Sequence, residues 1–174
     1  MPKGNVITGA TGLIGKKLAN SLINRGDEVI IFSRNVEKAR SIFPEATECI
    51  EWNYQHPEKW KSKLENTDAV IQLAGINLFS KRWNDEFKRA VLESREVSTK
   101  NLVVAIKSCT NKPEVFVSAS GIGYYGDCGE TVLNENSPKG NDFLADVCEV
   151  WENESRKIGE HGIRNVQINC PKSI

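Results

Sequence analysis

Gly9-Ala10-Thr11-Gly12-Leu13-Ile14-Gly15 places three glycines at i, i+3 and i+6. The apolar run Asn5-Val6-Ile7-Thr8 precedes them, and Leu13, Ile14, Leu18, Leu22 and Ile23 follow at helical spacing. This spacing predicts a strand, a tight turn and a helix over 12–24. Arg25-Gly26-Asp27 closes the helix with a cap glycine. Glu28-Val29-Ile30-Ile31-Phe32 then reads as a second strand, apolar along its length and so buried on both faces. The result is one strand–helix–strand unit, the parallel crossover. In such a unit Gly9 permits the turn. Gly12 keeps side-chain atoms away from a pyrophosphate, and Gly15 lets the helix lie close on the sheet. Free N–H groups at the helix start hold the phosphate charge. The competing reading is a tight turn that binds nothing. The strand before it and the helix after it favour a nucleotide. No Lys-Ser/Thr pair follows the glycines, which argues against a mononucleotide P-loop.

Beyond the second strand, Val36 to Phe43 predicts a short helix stopped by Pro44. Glu48 to Trp52 is a third strand, charged enough to sit at an edge, and Pro57 to Leu64 is a short helix. Ala69-Val70-Ile71-Gln72-Leu73 is a fourth strand. Asn84 or Asp85 opens a long helix reaching Ser108, and Val115-Phe116-Val117-Ser118 is a fifth strand. A glycine-rich loop follows. Asp142 caps a helix through Ile158, and Arg164 to Ile168 is a sixth strand, with Pro171 breaking its end. Helices separate the strands throughout, so the expectation is a mostly parallel sheet with helices on both faces. The domain spans 1–170 and leaves a short tail at 171–174.

The 174 residues suffice for one domain with a real core. The formal net charge is zero, which gives no electrostatic case for nucleic acid or an acidic membrane surface. Five widely spaced cysteines do not look like a disulfide framework. With no CxxC pair and two distant histidines, no metal site is expected. No secretory signal and no long apolar span appear, so the chain reads as soluble and intracellular, in a reducing compartment.

Coenzyme choice turns on the end of the second strand. An acid there would bond the ribose hydroxyls of NAD. The sequence reads Phe32-Ser33-Arg34-Asn35. Arg34 suits a 2′-phosphate, which favours NADP over NAD. The alternative is a surface arginine on a loop. Ligands of open parallel sheets sit at the carboxyl ends of the strands. Leu73-Ala74-Gly75 leaves the fourth strand there, and its small residues admit a flat cofactor. Ser118-Ala119-Ser120-Gly121 leaves the fifth, with Tyr124 and Tyr125 just beyond. Hydroxyls of Ser120, Tyr124 or Tyr125 could bind a substrate oxygen or pass a proton.

At these residues the sequence resembles a known family. The 9–15 turn is similar to that of the extended short-chain dehydrogenase/reductases, the NAD-dependent epimerase/dehydratase superfamily. Asn77 to Trp83, Glu93-Ser94-Arg95, Val117 to Asp127, Asp142-Phe143-Leu144-Ala145 and Trp151-Glu152 together resemble its epimerase-like branch designated 39U1. The resemblance covers residues 3 to 168. It implies a three-layer Rossmann fold with a doubly wound sheet. It also implies NADP contacts at Gly9, Thr11, Gly12, Leu13, Ile14, Ser33, Arg34, Leu73, Ala74 and Arg95. Spacing alone does not single out Arg95.

Two departures from the family pattern matter. Its enzymes use a serine and a Tyr-x-x-x-Lys pair on the helix after the fifth strand. Ser120 matches the serine, but Phe143 and Val147 stand where the tyrosine and lysine belong. Family members also continue into a substrate domain, whereas Ile168 to Ile174 does not match the segment that leads there. The resemblance therefore implies either an NADP-dependent oxidoreductase or epimerase acting on a small-molecule hydroxyl or carbonyl, or a silent NADP-binding scaffold. Relatives often self-associate, and the same is an expectation here by analogy alone.

Overall fold

The computed structural model describes residues 3–170. The tail expected at 171–174, with the break at Pro171, lies outside the described residues.

Six strands form one sheet in the order β3-β2-β1-β4-β5-β6. They are β1 (Gly4–Thr8), β2 (Glu28–Ser33), β3 (Glu48–Glu51), β4 (Ala69–Gln72), β5 (Val115–Gly121) and β6 (Arg164–Cys170). Every pairing is parallel. The helices are α1 (Leu13–Asn24), α2 (Val36–Ile42), α3 (Asp85–Lys107) and α4 (Phe143–Arg156). This is the doubly wound, three-layer Rossmann arrangement expected from the sequence.

Alternation along the strands builds the two cores. Ile7, Val29, Ile31 and Ile71 point to one face and pack with Ala19, Leu22 and Ala39 of α1 and α2. Val6, Phe32, Val70 and Phe116 point to the other and pack with Leu102, Val103 and Ile106 of α3. A strand covered on both faces needs no polar alternation, which is why β2 reads as a continuous apolar run. β3 does lie at one edge, as its charge suggests.

The helix starts follow capping chemistry. Asn84 accepts from the Phe87 N–H at 2.7 Å, and Asp142 accepts from the Ala145 N–H at 2.9 Å. The single short helix expected over 57–64 is divided. Residues 57–64 form two 3₁₀ turns, Pro57–Lys59 and Lys61–Leu64. Trp60 interrupts them: it is fully buried and donates from Nε1 to the Asn53 carbonyl at 2.8 Å. The glycine-rich segment after β5 is also shorter than expected. β5 runs on to Gly121, and Ile122–Tyr125 forms a 3₁₀ turn. β6 reaches Cys170, pairing Ser120 with Asn169 and Gly121 with Cys170.

The chain returns across the sheet between β3 and β4, so the strand order reverses at the β1–β4 boundary. In open α/β sheets that crevice, beyond the carboxyl ends of the strands, is where ligands bind.

Candidate functional site

The turn after β1 is held by backbone geometry that only glycine meets. Gly9 has φ +68°, and a Cβ there would lie 2.7 Å from the Leu73 carbonyl carbon and 2.8 Å from the Ala74 nitrogen. Its missing side chain thus serves two needs: the left-handed conformation, and close approach to the end of β4. A Cβ on Gly15 would lie 2.4 Å from the Gly9 carbonyl oxygen and 2.7 Å from the Ala10 Cα. Gly15 therefore lets the first turn of α1 pack on the glycine loop itself, a more local role than closeness to the sheet. Gly12 differs from both. A Cβ there would meet only the Gly9 oxygen, at 3.3 Å. The fold crowds this position far less than it crowds Gly9 or Gly15.

Gly12 is the N-cap of α1, and no side chain caps the helix. Its first turn holds no acid. The N–H groups of Leu13, Ile14 and Gly15 precede the first intrahelical bond, from Lys16 N to Gly12 O at 2.9 Å. Free N–H groups at a helix start, together with the helix dipole, favour negative charge. Leu13 and Ile14 are exposed at its mouth, Leu13 by 68%.

A buried polar column fixes the opposite lip. Thr8 Oγ1 donates to Gln72 Oε1 and accepts from the Leu73 and Ala74 N–H groups, both at 3.2 Å. Gln72 Nε2 donates to Ser98 Oγ at 2.7 Å, and Ser98 donates to the Ser94 carbonyl at 2.7 Å. Ser94 Oγ in turn accepts from the Ile76 N–H at 3.2 Å. β1, the segment 73–76 and α3 are thereby locked together by fully partnered groups, which rigidifies this lip.

Between the lips lies a cleft of about 310 Å³. Of the residues singled out in the sequence, Gly9, Gly12, Leu13, Ile14, Gly15, Leu73, Gly75, Arg95 and Ser120 line it. Thr11, Ala74, Ser33, Arg34, Tyr124 and Tyr125 stand outside its wall. Ser33 ends β2, the neighbour of β1, and Arg34 follows it. Arg34 is exposed, and Ser33 Oγ accepts from the Asn35 N–H at 3.2 Å. Tyr125 is buried, and its hydroxyl accepts from Asn169 Nδ2 at 3.0 Å. Tyr124 packs edge-on against the Tyr125 ring, with centroids 5.3 Å apart.

Arg95 is the strongest charge at the cleft. Nη2 donates to the Ile76 carbonyl at 3.1 Å and Nη1 to the Val91 carbonyl at 3.1 Å. Its guanidinium lies 5.2 Å from the centroid of the Trp151 ring. A Cβ on Gly75 would come within 3.0 Å of its Cζ, so Gly75 makes room for it. Burial lowers its pKa, with the Cys148 thiol a smaller opposing influence. Among the described residues no carboxylate lies within ion-pair distance of Arg95.

The α4 wall was not foreseen from the sequence. Leu144, Cys148 and Trp151 present one face of that helix to the cleft. Their spacing of i, i+4 and i+7 carries the signal. Burial pushes the Cys148 thiol up, and its Sγ donates to the Gly121 carbonyl at 3.6 Å. Phe143 and Val147, where the family's tyrosine and lysine would stand, serve packing. Phe143 sits edge-on to Trp83 with centroids 5.9 Å apart, and Val147 is 2% exposed against Phe87 and Val91. Ser120 Oγ donates to Glu152 Oε1 at 2.7 Å. Among the described residues no three His, Cys, Asp or Glu side chains gather as metal ligands, and no helix is long and apolar enough to cross a membrane.

The chain is similar to known proteins over most of its length. The profile of the NAD dependent epimerase/dehydratase family matches residues 5–143. The chain is 37% identical over 156 residues to "Epimerase family protein SDR39U1 homolog, chloroplastic" of Arabidopsis thaliana, covering 88% of this chain and 44% of that one. It is 33% identical over 163 residues to "Epimerase family protein YfhF" of Bacillus subtilis, covering 92% and 52%. Among solved structures, human epimerase family protein SDR39U1 (isoform 2) with NADPH superposes with a TM-score of 0.78 at 28% identity, covering 95% of this chain and 52% of that one. The chain thus spans about half the length of the curated relatives it matches. With the family profile matched over most of its length, the chain belongs to the NAD dependent epimerase/dehydratase family.

Proposed function

We propose that this chain binds NADP and serves an oxidoreductase or epimerase acting on a hydroxyl or carbonyl of a small, sugar-like molecule. The observation that carries the coenzyme reading is Gly12. It is an uncapped helix N-cap, and the one close contact a Cβ there would make is with the Gly9 oxygen at 3.3 Å, far looser than the contacts at Gly9 or Gly15. A pyrophosphate explains that cradle. The N–H groups of Leu13, Ile14 and Gly15 would hold it, with Thr11 beside them. Ser33 and the exposed fork of Arg34 would take the 2′-phosphate. Leu73, Ala74 and Gly75 would flank the coenzyme along the rigid lip, and Arg95 would supply a cation without an acid partner. The human relative solved with NADPH supports NADP over NAD. Bound there, the coenzyme would supply hydride exchange with a carbon bearing oxygen.

A second reading has its own observation. Phe143 and Val147 are packing residues, so the family's proton-transfer pair is replaced by apolar contacts. On that ground the chain would be a silent NADP binder.

The coenzyme reading is tested by thermal shift. A ligand at a hundred times its Kd adds about 2.7 kcal/mol. For a chain of this length that is a rise of roughly 5–11 °C in Tm. Gly12→Asp puts a good N-cap at the phosphate position. It should hold or raise the Tm of the free chain and abolish the NADPH shift. An undiminished shift in Gly12→Asp would sink the phosphate assignment.

A further inference from the structure

Two buried polar groups, Ser120 and Glu152, have no part in holding the coenzyme, and the exposed Arg156 backs them from the surface. Ser120 is 5% exposed and is the one hydroxyl side chain among the described residues lining the cleft. It gives its proton to Glu152 Oε1 at 2.7 Å. Glu152 is 6% exposed, and its other oxygen accepts from Arg156 Nη2 at 2.7 Å. A buried carboxylate is costly unless opposed and hydrogen-bonded, and here it is both.

A serine hydroxyl has one proton. While Ser120 gives it to Glu152, only its lone pairs are free for a ligand. Ser120 is then an acceptor for a ligand O–H, the reverse of a donor that polarises a carbonyl. A carboxylate behind a hydroxyl is also a place for a proton to go.

We propose that Ser120 and Glu152 form a proton relay in place of the missing tyrosine–lysine pair; this rests on the NADP reading above. In the oxidative direction the ligand O–H bond breaks and its proton forms a new bond to Ser120 Oγ. The proton already on Ser120 passes to Glu152 Oε1. The carbon bearing the hydroxyl loses a hydride to the oxidised coenzyme, so the alcohol becomes a carbonyl and the coenzyme is reduced. In the reductive direction protonated Glu152 returns the proton through Ser120 to the carbonyl oxygen. Glu152 reaches the ligand only through Ser120. The Tyr125 hydroxyl, engaged by Asn169 outside the cleft wall, has no part in it.

The test uses the whole chain with saturating NADPH and phenanthrenequinone as the carbonyl probe. Wild type, Ser120→Ala, Glu152→Gln and Glu152→Asp are compared. The expected result is turnover by wild type and a loss of about a hundredfold in Ser120→Ala and Glu152→Gln. NADPH affinity should stay within about twofold. Glu152→Asp should recover part of the rate. A second readout needs no turnover. The carboxyl carbon-13 resonance of Glu152, assigned by its loss in Glu152→Gln, should shift in Ser120→Ala. Full activity in Glu152→Gln, a Glu152 resonance indifferent to Ser120→Ala, or a wild type that binds NADPH yet never reduces the probe would each overturn the relay. Those results leave the coenzyme reading standing; failure to bind NADPH at all would remove that reading instead.

Discussion

Replacing Gly9 by alanine separates backbone strain from crowding, because Gly26 supplies a control. Both have positive φ, +68° at Gly9 and +87° at Gly26. A Cβ on Gly26 would meet nothing within 4 Å, whereas on Gly9 it would press on Leu73 and Ala74 at 2.7–2.9 Å. An alanine forced into the left-handed region costs about 1–2 kcal/mol. Overpacking at a rigid site adds roughly 1–3 kcal/mol. The lip cannot yield cheaply, since Thr8 pins the Leu73 and Ala74 N–H groups. Gly9→Ala should therefore cost about 2–5 kcal/mol, and Gly26→Ala about 1–2 kcal/mol. In Tm this is a fall of roughly 4–20 °C against roughly 2–8 °C. Urea unfolding of the three proteins, read by far-UV circular dichroism, measures both. Equal losses in the two variants would refute the idea that the glycine loop is wedged against β4.

Three further outcomes follow from the same structure. Thr8→Val leaves the Leu73 and Ala74 N–H groups and Gln72 Oε1 short of a partner, so stability should fall by about 1–3 kcal/mol; native-state hydrogen exchange should speed at residues 73 and 74, and unchanged protection there would contradict the polar column. Asp142→Ala removes the α4 cap at Ala145 and should cost about 1 kcal/mol, measured by urea unfolding, while Asn141→Ala should cost nothing measurable. Asp68 has its pKa lowered, first by the hydrogen bond from Lys3 and then by that from the Gly4 N–H. A carboxyl whose folded pKa is depressed stabilises the fold above its unfolded value near 4, and this contribution disappears as pH falls through the folded pKa. Stability should accordingly decline below about pH 4, and Asp68→Asn should flatten that decline; an identical slope in both proteins would rule out this link.

The sheet and the glycine turn were legible because their signals are local. The order of apolar strands and helices, the turn glycines, and the caps at Asn84 and Asp142 depend on near neighbours in sequence. The proposal of a phosphate at Gly12 starts from the same local signal. Trp60 shows where local reading fails: its burial against Phe32 and Trp52 breaks the expected helix into two turns. The α4 wall was hidden because periodicity tells which residues share a face but not what that face meets. Tyr124 and Tyr125 follow β5 closely in sequence, yet the 3₁₀ turn carries them outside the cleft wall, and Tyr125 is spent on Asn169. The Ser120–Glu152 bond joins residues 32 apart, a distance no motif encodes.

A dinucleotide phosphate at Gly12 and a 2′-phosphate at Arg34 are the two contacts that define the proposed coenzyme. The most direct measurement is a titration of the chain with NADPH and with NADH, followed by nicotinamide fluorescence, repeated in Arg34→Ala. Charge-assisted hydrogen bonds are worth about 1.5–3 kcal/mol, so NADPH should bind roughly ten- to a hundredfold more tightly than NADH. Arg34→Ala should erase the difference and spare NADH. Equal affinities in the wild-type chain, or a preference for NADPH that survives Arg34→Ala, would contradict the role given to Arg34; no binding of either coenzyme would contradict the site itself.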